Sequence, residues 1–128
     1  RLLEPEHIQG KRIVVVGGGD SAIESALLLA EQNNVILSYR SAAFKRIKPK
    51  NNERIQAAAA EGLVQVEYNS NLVRITPDTI ELSTGDRGTL TLKNDLVYIF
   101  AGGELPTKFL EKVGIGITKR FGYALLKH

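Results

Sequence analysis

The chain has 128 residues, 43% hydrophobic and 24% charged, with a formal net charge of +3 and no Cys, Met or Trp. That length and apolar fraction describe one globular domain and exclude a disordered chain. The absence of cysteine excludes disulfides, cysteine-based zinc sites, thiol nucleophiles and CxxC redox pairs within this chain, and with only His7 and His128 no His-dependent triad or metal centre is expected.

Lys11 to Val16 is a β-branched run that ends at Gly17-Gly18-Gly19, the pattern of a buried parallel strand. Ser21 to Gln32 is expected to be a helix packed on a sheet, stopped by Asn33-Asn34 through the left-handed conformation that Asn tolerates. Val35 to Tyr39 reads as a second strand, Arg40 to Pro49 as a basic loop, Lys50 to Glu61 as a helix stopped by Gly62, and Leu63 to Tyr68 as a third strand. Two successive strand–helix–strand crossovers imply a parallel α/β sheet. The pattern then changes. Leu72 to Thr76, Thr79 to Thr84 and Thr89 to Lys93 alternate as short strands joined by Pro77-Asp78 and Gly85-Asp86-Arg87-Gly88. They predict an inserted antiparallel meander. Asp95 to Phe100 is a further sheet strand running into Ala101-Gly102-Gly103, Pro106 to Val113 is a candidate short helix, and residues 114–128 carry no clear pattern. The expected fold is a Rossmann-like three-layer α/β domain, with a parallel sheet and an inserted three-stranded antiparallel β-meander.

Gly17-x-Gly19-x-x-Ala22 follows a strand and opens a helix within a βαβ unit, the context that a dinucleotide fingerprint requires. The first glycine allows the tight turn, the next lets backbone approach a pyrophosphate, and the small third residue lets helix and strand pack closely. N–H groups at the helix start favour the diphosphate charge. Asp20, Ser21 and Glu24 have two readings. Asp20 or Ser21 caps the helix, with Ser21-x-x-Glu24 as a capping box; or Ser21 donates to a phosphate and Glu24 points towards a nicotinamide.

NAD binders carry an acid at the end of the second strand for the ribose 2′-OH. Here Tyr39-Arg40 stands in that place and Arg46 follows on the same loop. A guanidinium there suits a 2′-phosphate, which a carboxylate would repel. Residues 40–54 hold six cations and one anion, a net +5, while the other eleven cations and thirteen anions leave the body at −2. NADPH is therefore the expected ligand, with NADH second. The alternatives are a solvated basic loop, or a nucleic-acid patch formed with Tyr39 and Phe44; so short a basic run makes a small footprint, and no nucleic-acid partner is expected.

The run Gly10 to Glu24 resembles the start of the NADPH domain in thioredoxin-reductase-like flavoproteins of the pyridine nucleotide-disulfide oxidoreductase superfamily. Asp95-Leu96-Val97-Tyr98-Ile99-Phe100-Ala101-Gly102-Gly103-Glu104-Leu105-Pro106 is similar to the D-x-V-x-x-x-x-G-x-x-P stretch that closes that domain. The resemblance implies that Gly17, Gly18, Gly19, Asp20, Ser21 and Ala22 form the pyrophosphate turn and that Glu24 lies towards the nicotinamide. It further implies that Arg40 and Arg46, beside Tyr39, grip the 2′-phosphate, and that Gly102 and Gly103 pass close to the nicotinamide; their alternative is a plain strand-ending turn. Ser38-Tyr39-Arg40 departs from the His-Arg-Arg of thioredoxin reductases, and the redox CxxC is absent. Relatives without the dithiol, such as ferredoxin–NADP reductase-like or bacillithiol-disulfide-reductase-like flavoproteins, fit better.

The expected function is an NADPH-binding module that orients nicotinamide for hydride transfer to FAD. The FAD would be held by another domain of the same parent protein, itself expected to be a homodimer. No residue reads as a catalytic acid, base or nucleophile, and no metal ligand set is expected. The rival readings are an NAD(P)-sensing regulatory Rossmann domain without redox activity, and a methyltransferase-like nucleotide fold, which would want an acid where Tyr39-Arg40 stands. No stretch approaches the roughly 18 apolar residues of a membrane helix, and the acidic, proline-broken start Arg1 to Glu6 is unlike a signal peptide. A cytoplasmic protein is expected, with residues 1–128 forming a single domain excised from a longer chain that would supply the missing initiator Met.

Overall fold

The computed structural model describes residues 8–17 and 19–100, together with the backbone of two strands at 114–117 and 123–126. The elements in chain order are β1 (Arg12–Val16), α1 (Asp20–Leu29), β2 (Asn34–Ser38), α2 (Pro49–Ala60), β3 (Val64–Glu67), β4 (Asn71–Ile75), β5 (Thr79–Ser83), β6 (Thr89–Lys93), β7 (Leu96–Ile99), β8 (Gly114–Ile117) and β9 (Tyr123–Leu126). A single 3₁₀ turn, Gly85–Arg87, joins β5 to β6.

The first sheet runs β3-β2-β1-β7-β9-β8. β1 lies between β2 and β7 and is parallel to both, with Val16 opposite Ser38 and Ile99. Its apolar run serves two cores by alternation. Ile13 and Val15 face one side with Ala22, Ile23, Ala26 and Leu29 of α1, Ile55 and Ala58 of α2, and Leu96 and Tyr98 of β7. Val14 faces the other with Val97, Ile99 and the meander residues Ile75, Ile80 and Leu82. A strand buried on both faces needs apolar side chains in both phases, which is why β1 and β7 read as continuous runs. The three layers are therefore helices, mixed sheet and the separate antiparallel sheet β4-β5-β6, the architecture expected from the sequence.

The differences are local. Helix α1 ends at Leu29, and Asn33 stops it by another route than a left-handed backbone: its Nδ2 donates to the Leu29 carbonyl at 2.9 Å and to the Ile8 carbonyl at 2.8 Å, while its Oδ1 accepts the Lys11 N–H. Pro49 enters α2 at its start, where the missing N–H costs nothing, and Gly62 ends it at φ +76°. The strands β8 and β9, antiparallel to each other and joined to the sheet through β9 and β7, extend it where the sequence showed no pattern. The candidate helix at Pro106 to Val113 lies outside the described residues. Among the described residues, no helix is long and apolar enough to cross a membrane.

The N-terminal ends of β1 and β7, 83 positions apart in sequence, are held by a fork. Asp95 Oδ2 accepts the Arg12 backbone N–H at 2.8 Å and its Nε at 3.0 Å, and Oδ1 accepts the other guanidinium nitrogen at 3.0 Å. The buried Asn94 adds bonds from Nδ2 to the carbonyls of Arg12 and Leu96. The Arg12 hydrogen bonds hold the Asp95 carboxyl down at about 2. Its pKa is lower folded than unfolded, so this stabilisation is complete above about pH 4 and drains as pH falls towards 2. With a half-exposed arginine as partner, Asp95→Asn is expected to cost about 1 kcal/mol at pH 7. Urea unfolding at pH 7 and pH 3 checks this, since the penalty should shrink at the lower pH.

Candidate functional site

The sheet order reverses at β1: the chain leaves it through α1 to β2 on one side and returns at β7 on the other. Such a switch point opens a crevice at the C-terminal end of the strand, and the glycine turn stands there. Gly17 has φ +147°, and a Cβ on it would lie 3.0 Å from both the Cβ and the carbonyl oxygen of Phe100 and 3.3 Å from the Ala22 Cβ. Its N–H donates to the Ser38 carbonyl at 3.1 Å, and Phe100 N–H donates to Val16. Glycine is thus required at 17 by the protein's own packing, and Ala22, fully buried against it, is small for the same reason.

Gly19 differs. It is the N-cap of α1 with extended dihedrals, φ −86° and ψ 178°, that any residue adopts, and no atom lies within 4 Å of where its Cβ would be. Among the described residues, nothing demands glycine at 19. The capping expectations for Asp20, Ser21 and Glu24 are corrected here. The helix starts at Asp20, two residues earlier than a Ser21 cap needs and one earlier than an Asp20 cap needs, and among the described residues no side chain caps it. The first intrahelical donor is Ile23, to the Gly19 carbonyl at 3.2 Å. The N–H groups of Asp20, Ser21 and Ala22 precede that bond, at the positive end of the helix dipole.

Asp20 and Glu24 instead turn towards α2. Asp20 Oδ1 accepts the Lys48 N–H at 2.9 Å and Asn51 Nδ2 at 2.8 Å, and Glu24 Oε2 accepts the same Asn51 nitrogen at 2.9 Å. The Lys48 and Asn51 hydrogen bonds lower the Asp20 pKa. These contacts anchor the far end of the basic loop to the first turn of α1. The near end is anchored at β2 and β3, where Tyr39 N–H donates to Glu67 and Tyr39 accepts from Ser70 N–H through backbone atoms. Between them Phe44 packs on Tyr39 at 4.7 Å and edge-on to Tyr68 at 5.5 Å between ring centroids, and Lys45 N–H donates to the Tyr39 hydroxyl. Arg40 and Arg46 are exposed on this loop, Arg46 with φ +57°.

The structure therefore brings Gly17, Gly19, Asp20, Ser21, Ala22 and Glu24 together at the turn and the start of α1, with Arg40 and Arg46 on a loop tied to that start at its far end and to β3 at its near end. Tyr39 is buried under that loop. Gly18, Gly102 and Gly103 lie outside the described residues. Among the described residues, no cluster of three or more His, Asp or Glu is placed to hold a metal. Sequence reasoning missed Asn51, whose only signal is that it shares a helical face with Ile55 and Ala58, all three buried.

A family model described as pyridine nucleotide-disulphide oxidoreductase matches residues 2–127. Bacilliredoxin reductase Bdr of Bacillus subtilis is 31% identical over 114 residues, which are 88% of this chain and 35% of that protein. A ferredoxin–NADP reductase of Orientia tsutsugamushi (strain Boryong) is 34% identical over 98 residues, 72% of this chain and 29% of that protein. Among solved structures, bacillithiol disulfide reductase Bdr of Bacillus cereus superposes with a TM-score of 0.73 at 30% identity, over 93% of this chain and 37% of its own. The chain thus spans about a third of the length of the relatives it matches. Cysteine-free, it fits the Bdr group better than the dithiol reductases.

The two glycines separate in a stability measurement. Gly17→Ala meets backbone at 3.0 Å in a strained conformation and is expected to cost about 1–3 kcal/mol. Gly19→Ser places a good capping residue in open space and is expected to leave stability unchanged or raise it by up to about 1 kcal/mol; urea unfolding of the two variants reads both.

Proposed function

The chain belongs to the pyridine nucleotide-disulphide oxidoreductase family, and from that premise we propose that it is an NADPH-binding module of a flavin-dependent oxidoreductase. Its partner is an FAD-binding domain of the same protein, and the whole is a cytoplasmic homodimer. One observation carries this reading: an open, glycine-initiated helix start and a loop, residues 40–48, of net charge +4 are tied together at the switch point of the sheet.

The residues suit this cofactor by charge and by space. The space before Gly19 that a Cβ would fill admits a diphosphate to the backbone N–H groups at the start of α1. Gly17, Gly18 and Gly19, with Ser21 and Ala22, make that turn. Arg40 and Arg46 hold the 2′-phosphate as bidentate cations, and Tyr39 supports them from below. Asp20 fixes the loop to the turn with Glu24 beside it on Asn51, and Gly102 and Gly103 belong to the nicotinamide side. NADH, without the 2′-phosphate, is the weaker ligand. The cofactor pair supplies the hydride chemistry when bound. This chain's part is to bind and orient, and no residue of it acts as acid, base or nucleophile.

Calorimetric titration with NADPH and NADH tests the assignment. Arg40→Ala is expected to weaken NADPH by about 1.5–3 kcal/mol, the scale of hydrogen bonds to a charged group, and to leave NADH nearly unchanged. Gly19→Ser is expected to remove binding of both while the fold persists. Failure of the unaltered chain to bind either dinucleotide below millimolar concentration overturns the reading.

A further inference from the structure

The first two turns of α1 carry two carboxylates, Asp20 and Glu24, beside the place where an anion is to be received, and like charge there opposes binding. Both are engaged by one side chain. Asn51 is buried, and its Nδ2 spends one hydrogen on Asp20 Oδ1 at 2.8 Å and the other on Glu24 Oε2 at 2.9 Å. The same Asp20 oxygen accepts the Lys48 N–H at 2.9 Å, so the end of the basic loop and the start of α2 meet on a single carboxylate. Asn51 shares its helical face with Ile55 and Ala58, which pack into the helix-side core, so its backbone position is fixed by packing rather than by the loop.

We propose that Asn51 is a positioning residue: by holding Asp20 and Glu24 it locks the basic loop against the glycine turn and sets the spacing between the diphosphate cradle and the 2′-phosphate cations. The inference rests on the NADPH reading and deepens it. Without the amide, Asp20 keeps the Lys48 N–H but, with Glu24, loses the donor that ties α2 to α1, so the segment from Arg40 to Lys48 keeps its Tyr39–Phe44 anchor and loses the side-chain tie beside Lys48. The loss falls mainly on the ligand that engages both the turn and the loop. NADPH does so, whereas NADH depends on the turn.

The experiment is titration of the chain and its Asn51→Ala variant with NADPH and with NADH, with circular dichroism as the check on folding. NADPH is expected to bind about tenfold more weakly to the variant and NADH less than about threefold, so that the preference between them falls. Asn51→Ser, which keeps a hydroxyl donor at that place, takes over the same readout if the alanine variant does not fold. An unchanged preference, or equal losses for both dinucleotides, overturns the positioning role while the NADPH reading stands. Failure of both variants to fold overturns it too, by making Asn51 a residue of the fold. If the unaltered chain binds neither dinucleotide, the NADPH reading falls and this inference with it.

Discussion

A central parallel strand has no solvent face, and most of this structure follows from that. β1 pairs on both edges, with β2 and β7, and must be covered on both faces. Helices α1 and α2 cover one, through side chains in phase with Ile13 and Val15. The meander covers the other, through Ile75, Ile80 and Leu82 against Val14. Burying apolar surface stabilises at about 25 cal/mol per Å², so each layer is stable only because the sheet between them is apolar on both sides. The insertion of an antiparallel sheet into an α/β unit is then no decoration. It is the second wall of the core.

The same strand creates the site. Because β1 is where the sheet order reverses, neither neighbouring connection crosses its C-terminal end, and the chain must turn sharply there into α1. The turn divides its two glycines between two tasks. Gly17 is held by Phe100 and Ala22 and belongs to the fold, whereas among the described residues Gly19 faces open space. A motif that looks uniform in sequence is physically split, one position serving packing and the other left open. The acids follow a similar division. They occupy a helix start that favours negative charge, yet they are turned aside by donors from the neighbouring loop and helix.

Most of this was legible beforehand because the relevant signals are local. The β-branched runs gave β1, β2 and β7; the turn pairs Pro77-Asp78 and Gly85 to Gly88 gave the meander; the charge concentrated on residues 40–54 marked the loop. What was not legible depends on distant partners. The pairing of β9 with β7, and of β8 with β9, has no local cue in a glycine-interrupted run such as Gly114-Ile115-Gly116-Ile117. Asn51 is polar at a buried position, and composition places such a residue on the surface until Asp20 and Glu24 are known to face it. The capping box fails because the cap falls on Gly19, two residues before Ser21, which places Ser21 inside the first turn.

The order of strands also bears on how the chain acquires its fold. β1 emerges early, but its second partner β7 begins at Leu96, after the whole meander. Until then one edge of β1 has unpaired amides and carbonyls. Contacts this far apart in sequence slow folding, and an open parallel edge is exposed to pairing with other chains meanwhile. The Arg12–Asp95 fork, which spans that same separation, forms only when the last parallel strand docks. It therefore closes the end of the sheet opposite the glycine turn, and only once β7 has paired along β1.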